Sequence, residues 1–253
     1  MAIKNTISHL RNSLLGERHR LYPVAPERLW WGGTTPFDYD PDLSRLGDRP
    51  PLEQLADALG TDKGTVGKGH LYTSVYERLI EDITSIRRGA PISVCEIGVA
   101  CGASLKMWSH YLPTAKIVGI DIREECAELC KTWPNIEIQI GDPRKLERPP
   151  AQFDLIVDDA SHISEDIKEN FDHCFAWLRN GGYYVVEDVS CVGDKAYAQS
   201  LIDRFGMQGL KNDRSTFTQM VDTLMLEIDS HSNLVDHIEY HSSMLVIQKG
   251  SGN

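Results

Sequence analysis

The sequence lacks any uninterrupted apolar run of about 18 residues, which is the length that a membrane-spanning helix needs. Its N-terminal stretch, MAIKNTISHLRNSLLG, also lacks the apolar core of a secretory signal. We therefore expect a soluble, cytoplasmic protein with no membrane partner. With 253 residues, 41% of them hydrophobic, the chain is long enough to bury one large core.

Basic residues and paired cysteine motifs are also scarce. The chain has 26 Lys and Arg against 37 Asp and Glu, a formal net charge of −11. Because phosphate binding relies on clustered Lys and Arg, we expect a small-molecule substrate and no nucleic-acid partner. The six cysteines form no CxxC motif, and Cys126 and Cys130, four residues apart, are interpreted as packed thiols rather than zinc ligands. All six are expected to be reduced.

Apolar runs of strand length alternate with helical patterns through most of the chain. This alternation predicts an α/β fold with a parallel, doubly wound sheet. Two later runs, LVDHIEYH and SMLVIQKG, predict a closing antiparallel pair, so the sheet should have seven strands, mostly parallel, with an antiparallel C-terminal strand. The five earlier runs are Ile92 to Ile97, Lys116 to Ile122, Ile136 to Gly141, Phe153 to Asp159 and Gly182 to Asp188.

The clearest helical pattern runs from Ser164 to Leu178, where apolar residues fall on one face. Ser164 is a suitable N-cap, and the two acids that follow it complement the helix dipole. Another amphipathic helix is expected to begin near Leu71.

The first part of the chain has a different character. After a possible helix up to Leu15, a stretch rich in Pro, Trp and Arg shows no periodicity and contains Trp30-Trp31. We predict an N-terminal helix and extended arm over residues 1–60 and one domain over residues 61–253. The two tryptophans could pack on the domain, contact a partner subunit or cover a ligand. The arm favours a homo-oligomer.

A glycine-containing turn follows the first strand-like run. The string VCEIGVACG, residues 94–102, leads into a helix expected over Ala103 to Tyr111. Glycines let the backbone approach a ligand, and a helix N-terminus offers free amide donors. Asp121 ends the next run, where an acid can accept hydrogen bonds from both ribose hydroxyls, and Asp142 follows the third run. A dinucleotide-binding turn would prefer the pattern GxGxxG, with room for a pyrophosphate. This turn has Ala100 at its middle position and no basic partner for phosphates, so a nucleoside without phosphates is favoured over a dinucleotide.

The acid Glu96, the glycine turn, Asp121 and Asp142 together are similar to the class I S-adenosylmethionine-dependent methyltransferases. In that family the methionine part of the cofactor lies over the glycine turn, and the acid after the second strand holds the ribose. The resemblance implies a Rossmann-like fold and S-adenosylmethionine as the cofactor. The alternative is a nucleotide-binding Rossmann domain of another kind.

Two pairs of acids end neighbouring strands of the expected sheet. Asp158-Asp159 follow the fourth run and Glu187-Asp188 follow the fifth, so four carboxylates should converge at the carboxyl edge. A divalent cation that prefers oxygen ligands would neutralise them, which predicts Mg²⁺ or Mn²⁺. The alternative is that these acids merely cap loops or helices.

His162 lies three residues beyond the second acid, in a loop at the same edge. A lone histidine is often a structural hydrogen-bonding group. Beside a metal and a sulfonium cofactor, however, its imidazole is suited to removing a proton from a substrate hydroxyl during methyl transfer. We therefore interpret His162 as the general base.

A narrower resemblance rests on the strings GTDKGTVGKGHLYTSVYE, EIGVACGASLKMW, FDLIVDDASHI and GGYYVVEDV. Over roughly residues 60–189 they look like the metal-dependent sugar O-methyltransferases of macrolide and related natural-product pathways, the mycinamicin type, with cephalosporin-cluster relatives. The resemblance implies His162 as the general base, Asp158 as a supporting acid, and Mg²⁺ ligands at Asp159, Glu187 and Asp188. Cofactor-binding positions are expected at Glu96, Gly98, Ala100, Gly102, Ser104, Asp121, Asp142, Asp62, Lys63 and Tyr72. In the GTDKG…HLY segment, Asp62, Lys63, His70 and Tyr72 are expected to reach the carboxylate of the cofactor or the substrate.

The sequence therefore predicts a metal-dependent O-methyltransferase that acts on a hydroxyl of a sugar or similar polyol, carried by a glycosylated natural product or a nucleotide sugar. A catechol-type or other small-molecule O-methyltransferase is the first alternative. A non-catalytic scaffold that binds S-adenosylmethionine is the second. The arm and the segment after Ser190 match nothing in the resemblance, so the acceptor stays open.

Overall fold

A computed structural model describes residues 41–65, 70–146, 152–205 and 210–252. The predicted helix up to Leu15 and the Trp30-Trp31 pair lie outside these residues, and the boundary at residue 60 and the homo-oligomer stay predictions. Among the described residues, no helix is long and apolar enough to cross a membrane. All six cysteines are free thiols, as expected.

The chain forms one mixed sheet flanked by helices, and the predicted fold class is confirmed. The strand order is β3-β2-β1-β4-β5-β7-β6, in which β7 runs antiparallel to both of its neighbours. The strands are β1 (Ser93–Ile97), β2 (Lys116–Asp121), β3 (Ile136–Ile140), β4 (Phe153–Asp158), β5 (Leu178–Val186), β6 (Val235–His241) and β7 (Met244–Lys249). The helices are α1 (Leu52–Leu59), α2 (Thr73–Arg87), α3 (Ala103–Tyr111), α4 (Ser164–Cys174), α5 (Lys195–Phe205) and α6 (Ser215–Asp229).

The central strands are buried on both faces, because helices cover each side of the sheet. Every residue of β1 and of β4 is buried, and this explains why both strands are mostly apolar and do not alternate strictly between apolar and polar residues. Helix α1 also contributes to the core through Leu52 and Leu55, both fully buried. This short helix therefore packs with the sheet domain, although it precedes residue 60.

The predicted helix from Ser164 is correct at its start and wrong in two details. The α-helix ends at Cys174, a short 3-10 turn follows over Phe175–Trp177, and Leu178 already begins β5. Ser164 is not the N-cap: its hydroxyl oxygen accepts a hydrogen bond from the Phe217 amide at 2.7 Å. This hydrogen bond connects α4 to α6. The Ser164 side chain is fully buried, and its hydroxyl finds its partner in another helix rather than in its own.

The ends of β1, β4 and β5 lie side by side at the carboxyl edge. In the parallel register, Ile97 is paired with Asp158, and Asp158 is paired with Val186. Backbone hydrogen bonds continue past the strands, from the Asp159 amide to the Ile97 carbonyl at 2.9 Å and from the Glu187 amide to the Asp158 carbonyl at 3.0 Å. The acids that follow β4 and β5 are therefore held at one place on the sheet.

Candidate active site

Three side chains gather at this edge. Asp159, His162 and Asp188 each offer one ligand atom, and these atoms lie within 4.8 Å of one another. The His162 Nε2 atom lies 3.8 Å from Asp159 Oδ1 and 3.8 Å from Asp188 Oδ2. Two carboxylates and an imidazole at this spacing fit a divalent cation, with the oxygen donors favouring Mg²⁺ or Mn²⁺. We call these three residues the edge cluster.

Two members of the edge cluster, His162 and Asp188, have an unusual backbone conformation. His162 has a φ of +54° and Asp188 a φ of +53°, both in the left-handed region that residues other than glycine rarely adopt. Such conformations cost on the order of 1–3 kcal/mol each and are concentrated at functional sites. The His162 side chain is buried, and its ring centroid lies 5.7 Å from that of Tyr197, whose hydroxyl donates to the Ser161 carbonyl at 3.1 Å.

Described residues of the GTDKG…HLY segment contact the acids directly. Lys63, 1% exposed, places its Nζ atom 2.7 Å from both Asp159 Oδ2 and Glu187 Oε2. The ammonium also lies 3.4 Å from Glu96 Oε1. Burial alone would lower the pKa of Lys63, but the three carboxylates outweigh it and raise that pKa well above its usual value. Lys63 is therefore a fixed positive charge beside the edge cluster.

Tyr72 and His70 contact Asp188, the second acid of the edge cluster. The Tyr72 hydroxyl donates to Asp188 Oδ1 at 2.8 Å, and His70 Nδ1 lies 3.4 Å from the same oxygen. The two rings stack at 5.1 Å. Asp62 is the outermost residue of this group, with its Oδ2 atom 3.7 Å from His70 Nε2. The predicted cofactor contacts of Asp62, Lys63 and Tyr72 stay predictions, whereas Lys63 and Tyr72 contact the acids.

Glu187 lies outside the edge cluster. It is 2% exposed, its Oε2 atom accepts from Lys63, and its Oε1 atom accepts from the Tyr76 hydroxyl. Both of its oxygens are thus engaged by the chain. Its predicted role as a metal ligand stays a prediction, and His162 occupies the third place in the cluster.

Asp158, the last residue of β4, has different partners from Asp159. It accepts hydrogen bonds from Asn170 Nδ2 at 3.2 Å and from the Tyr184 hydroxyl at 3.1 Å. Burial raises its pKa to about 7, although these hydrogen bonds work in the opposite direction. Asp158 therefore supports the strand end without reaching the edge cluster.

The turn after β1 packs against the strand end that carries the edge cluster. Gly98 has a φ of +95°, and a Cβ atom there would lie 2.8 Å from the carbonyl carbon of Asp159. Gly102 (φ +78°) is the N-cap of α3, and Ala100 between the two glycines also has a positive φ of +49°. Glycine at position 98 is thus required both by its φ and by the close approach of the Asp159 backbone.

Glu96 is fully buried below the turn. Its carboxylate accepts from the Ser104 hydroxyl at 2.6 Å and from Trp108 Nε1 at 2.7 Å, which ties β1 to α3. Burial raises the pKa of Glu96, with the Lys63 ammonium opposing the shift. The cofactor roles predicted for Glu96 and Ser104 stay predictions.

The two acids predicted for the cofactor lie at the ends of β2 and β3. Asp121 Oδ2 accepts from the Val99 amide at 2.9 Å, and Asp121 Oδ1 accepts from the Arg123 amide at 2.9 Å. Burial would raise the pKa of Asp121, but the hydrogen bonds from Arg123 and Val99 bring it below its usual value. Asp142 accepts from Arg144 Nε at 2.8 Å and from Nη2 at 2.9 Å, which lowers its pKa to about 2. Both carboxylates are therefore ionised at neutral pH.

Sequence reasoning named His70 as a residue that could reach the cofactor or the substrate, and the structure places it beside Asp188. Three other residues that contact the predicted site were missed, because their partners are distant along the chain or their contacts depend on side-chain positions. The missed residues are Tyr76, Arg123 and Tyr197.

The strand order and the glycine turn at the carboxyl edge define a class I methyltransferase fold. Residues 94–182 match the family described as a methyltransferase domain. The chain is 33% identical over 151 residues to L-olivosyl-oleandolide 3-O-methyltransferase of Streptomyces antibioticus, a match that covers 56% of this chain and 38% of that protein. It is 28% identical over 219 residues to mycinamicin VI 2''-O-methyltransferase of Micromonospora griseorubida, covering 76% of this chain and 53% of that one.

The structure is similar to the MycE methyltransferase from the mycinamycin biosynthetic pathway, solved in complex with Mg and SAH. The TM-score is 0.63 at 24% identity, covering 80% of this chain and 55% of that chain. The resemblance to sugar O-methyltransferases of natural-product pathways is thus confirmed. The chain spans 38% and 53% of the length of the two curated relatives.

Proposed function

We propose that this protein is a metal-dependent O-methyltransferase that moves a methyl group from S-adenosylmethionine to a hydroxyl of a sugar moiety. The acceptor would be a glycosylated natural product or a nucleotide sugar. The observation that carries the proposal is the edge cluster, which lies beside the glycine turn of a methyltransferase fold. The names of the curated relatives, which are sugar O-methyltransferases, agree with it.

Asp159 and Asp188 are the residues proposed to hold the cation. Glu187 would be a further ligand if its hydrogen bonds from Lys63 and Tyr76 were broken. Bound there, Mg²⁺ or Mn²⁺ supplies positive charge that stabilises the oxyanion developing on the acceptor. Because Asp159 and Asp188 follow different strands, the sheet fixes their separation before any ligand arrives. The edge cluster is therefore preorganised by the fold.

His162 is proposed to take the proton from the acceptor hydroxyl. Its imidazole is 2% exposed and faces both carboxylates, so a hydroxyl brought to the edge cluster lies within its reach. The proton of the acceptor hydroxyl would pass to this imidazole, which acts as a base and not as a ligand of the cation. Tyr197 packs beside the ring and limits its movement.

The cofactor is proposed to lie over Gly98, Ala100 and Gly102, with its ribose at Asp121 and its base near Asp142. Asp121 is ionised and lies next to the turn, as a ribose acceptor should be. Its Oδ1 atom is shared with the Arg123 side chain, 34% exposed at the surface, which has room to move when hydroxyls bind.

The test is a calorimetric titration of Mg²⁺ into protein saturated with S-adenosylhomocysteine, for the native protein and for Asp159→Ala. Binding in the native protein and its loss in the variant are the expected results. The matched control is Asp172→Ala, because Asp172 is an exposed acid on α4 whose contact is with Lys168. If neither the native protein nor the control bound Mg²⁺, the metal-dependent reaction would be abandoned.

A further inference from the structure

The Lys63 ammonium lies among three carboxylates that follow or end three strands. Its Nζ atom is 2.7 Å from Asp159 Oδ2, 2.7 Å from Glu187 Oε2 and 3.4 Å from Glu96 Oε1. A lysine ammonium has three donors and no acceptor; two hydrogen bonds go to Asp159 and Glu187, and Glu96 makes a longer ion-pair contact. Since the side chain is only 1% exposed, water does not screen these contacts.

The same carboxylates face the proposed cation site. Asp159 accepts a hydrogen bond from Lys63 through Oδ2, whereas its Oδ1 atom faces His162 at 3.8 Å. Both oxygens of Glu187 accept hydrogen bonds, Oε2 from Lys63 and Oε1 from Tyr76. A cation that approaches these oxygens meets a positive charge already bound to them.

We infer that Lys63 is a positioning residue that competes with the divalent cation for the carboxylates of Asp159 and Glu187, and so sets how tightly the cation is held. The inference rests on the proposed function, because it requires the cation site. In this inference Lys63 acts on the carboxylates of Asp159 and Glu187 and not on the cofactor. The ammonium holds the two carboxylates in place by hydrogen bonds, while its charge weakens the attraction of a second cation.

The experiment compares Mn²⁺ binding by calorimetry in the native protein and in Lys63→Met, which keeps the length of the side chain and removes its charge. We expect Lys63→Met to bind Mn²⁺ about ten-fold more tightly or better, because one unit of repelling charge is lost in a buried site. Lys63→Arg keeps the charge and should restore an affinity close to that of the native protein. Lys168→Met is the matched control, since Lys168 lies on α4 and pairs with Asp172 there.

A residue with a merely structural role would give the opposite result, since its loss would disorder the acids and weaken binding. Unchanged or weaker Mn²⁺ binding by folded Lys63→Met would therefore overturn the inference. If Lys63→Met is unfolded by circular dichroism, millimolar Mn²⁺ must restore the native spectrum, because the cation then takes the place of the ammonium. Failure to restore it would count equally against the inference.

The results separate this inference from the proposed function. If the native protein binds Mn²⁺ and Lys63→Met binds it no more tightly, the cation site stands and competition by Lys63 is rejected. If only Lys63→Met binds Mn²⁺, the competition is real and the native site is too weak for the proposed reaction. If neither binds, both ideas fail.

Discussion

The close approach of Gly98 to Asp159 leads to a quantitative prediction for Gly98→Ala. The φ of +95° alone strains an alanine, at about 1–2 kcal/mol. The added Cβ would also lie 2.8 Å from the Asp159 carbonyl carbon and 3.0 Å from the Ala160 Cα atom. Forcing an extra carbon into such a contact costs about 1–3 kcal/mol more. We therefore expect Gly98→Ala to lower the free energy of unfolding by about 2–5 kcal/mol.

Gly89→Ala isolates the strain from the contact. Gly89 has a similar φ of +82°, but a Cβ there would meet nothing within 4 Å. This variant should therefore lose only about 1–2 kcal/mol. Urea unfolding followed by circular dichroism measures both losses, because the transition midpoint shifts while the denaturant dependence stays constant.

The contact with Asp159 also predicts a functional difference between the two variants. The alanine at position 98 must push away the backbone that carries Asp159, so Mn²⁺ binding by Gly98→Ala should weaken at least about ten-fold, since a shift of about 1 Å in a site is costly. Gly89→Ala should bind Mn²⁺ as the native protein does. Equal losses of stability in the two variants, or native Mn²⁺ affinity in Gly98→Ala, would refute this reasoning.

Two further variants test the chemistry and the electrostatics. His162→Ala should lower turnover by roughly 10²–10⁴-fold with little loss of cofactor binding, as expected for a general base, and a variant that keeps most native turnover removes His162 from the mechanism. Arg144→Met should destabilise the protein by about 1 kcal/mol at pH 7. Because Arg144 lowers the pKa of Asp142 to about 2, its contribution is complete above the ordinary aspartate pKa and disappears as the pH falls towards 2. Melting curves of the two proteins should therefore converge in acid, and a constant difference across pH would contradict the assignment.

The fold was predictable because its central strands have a strong sequence signal. A strand buried on both faces is mostly apolar, and the consecutive Leu155, Ile156 and Val157 at the centre of β4 give this signal. Helix α3 has the predicted limits, Ala103 to Tyr111. The start of β5 was missed because its first residues, LRNGG, include polar and glycine positions that resemble a turn.

The site was predictable only in part. The carboxyl ends of parallel strands meet at one edge of a sheet, and this predicted that Asp159, His162 and Asp188 lie close together. It could not show that Glu187 turns inward, since adjacent residues after a strand end can point to different neighbours. The contact of Lys63 with Glu187 joins residues 124 positions apart, and neither spacing nor periodicity encodes a pair at that separation.

The contacts of the segment around Lys63 and Tyr72 also bear on the smallest working piece of this protein. The methyltransferase-domain match ends at residue 182, before Asp188, and begins at residue 94, after Lys63 and Tyr72. A fragment cut to that match would keep β1 to β4 and the glycine turn, yet it would retain only Asp159 and His162 of the edge cluster. Such a fragment would lack Asp188 as well as Lys63 and Tyr72, so the proposed site depends on residues on both sides of the matched segment.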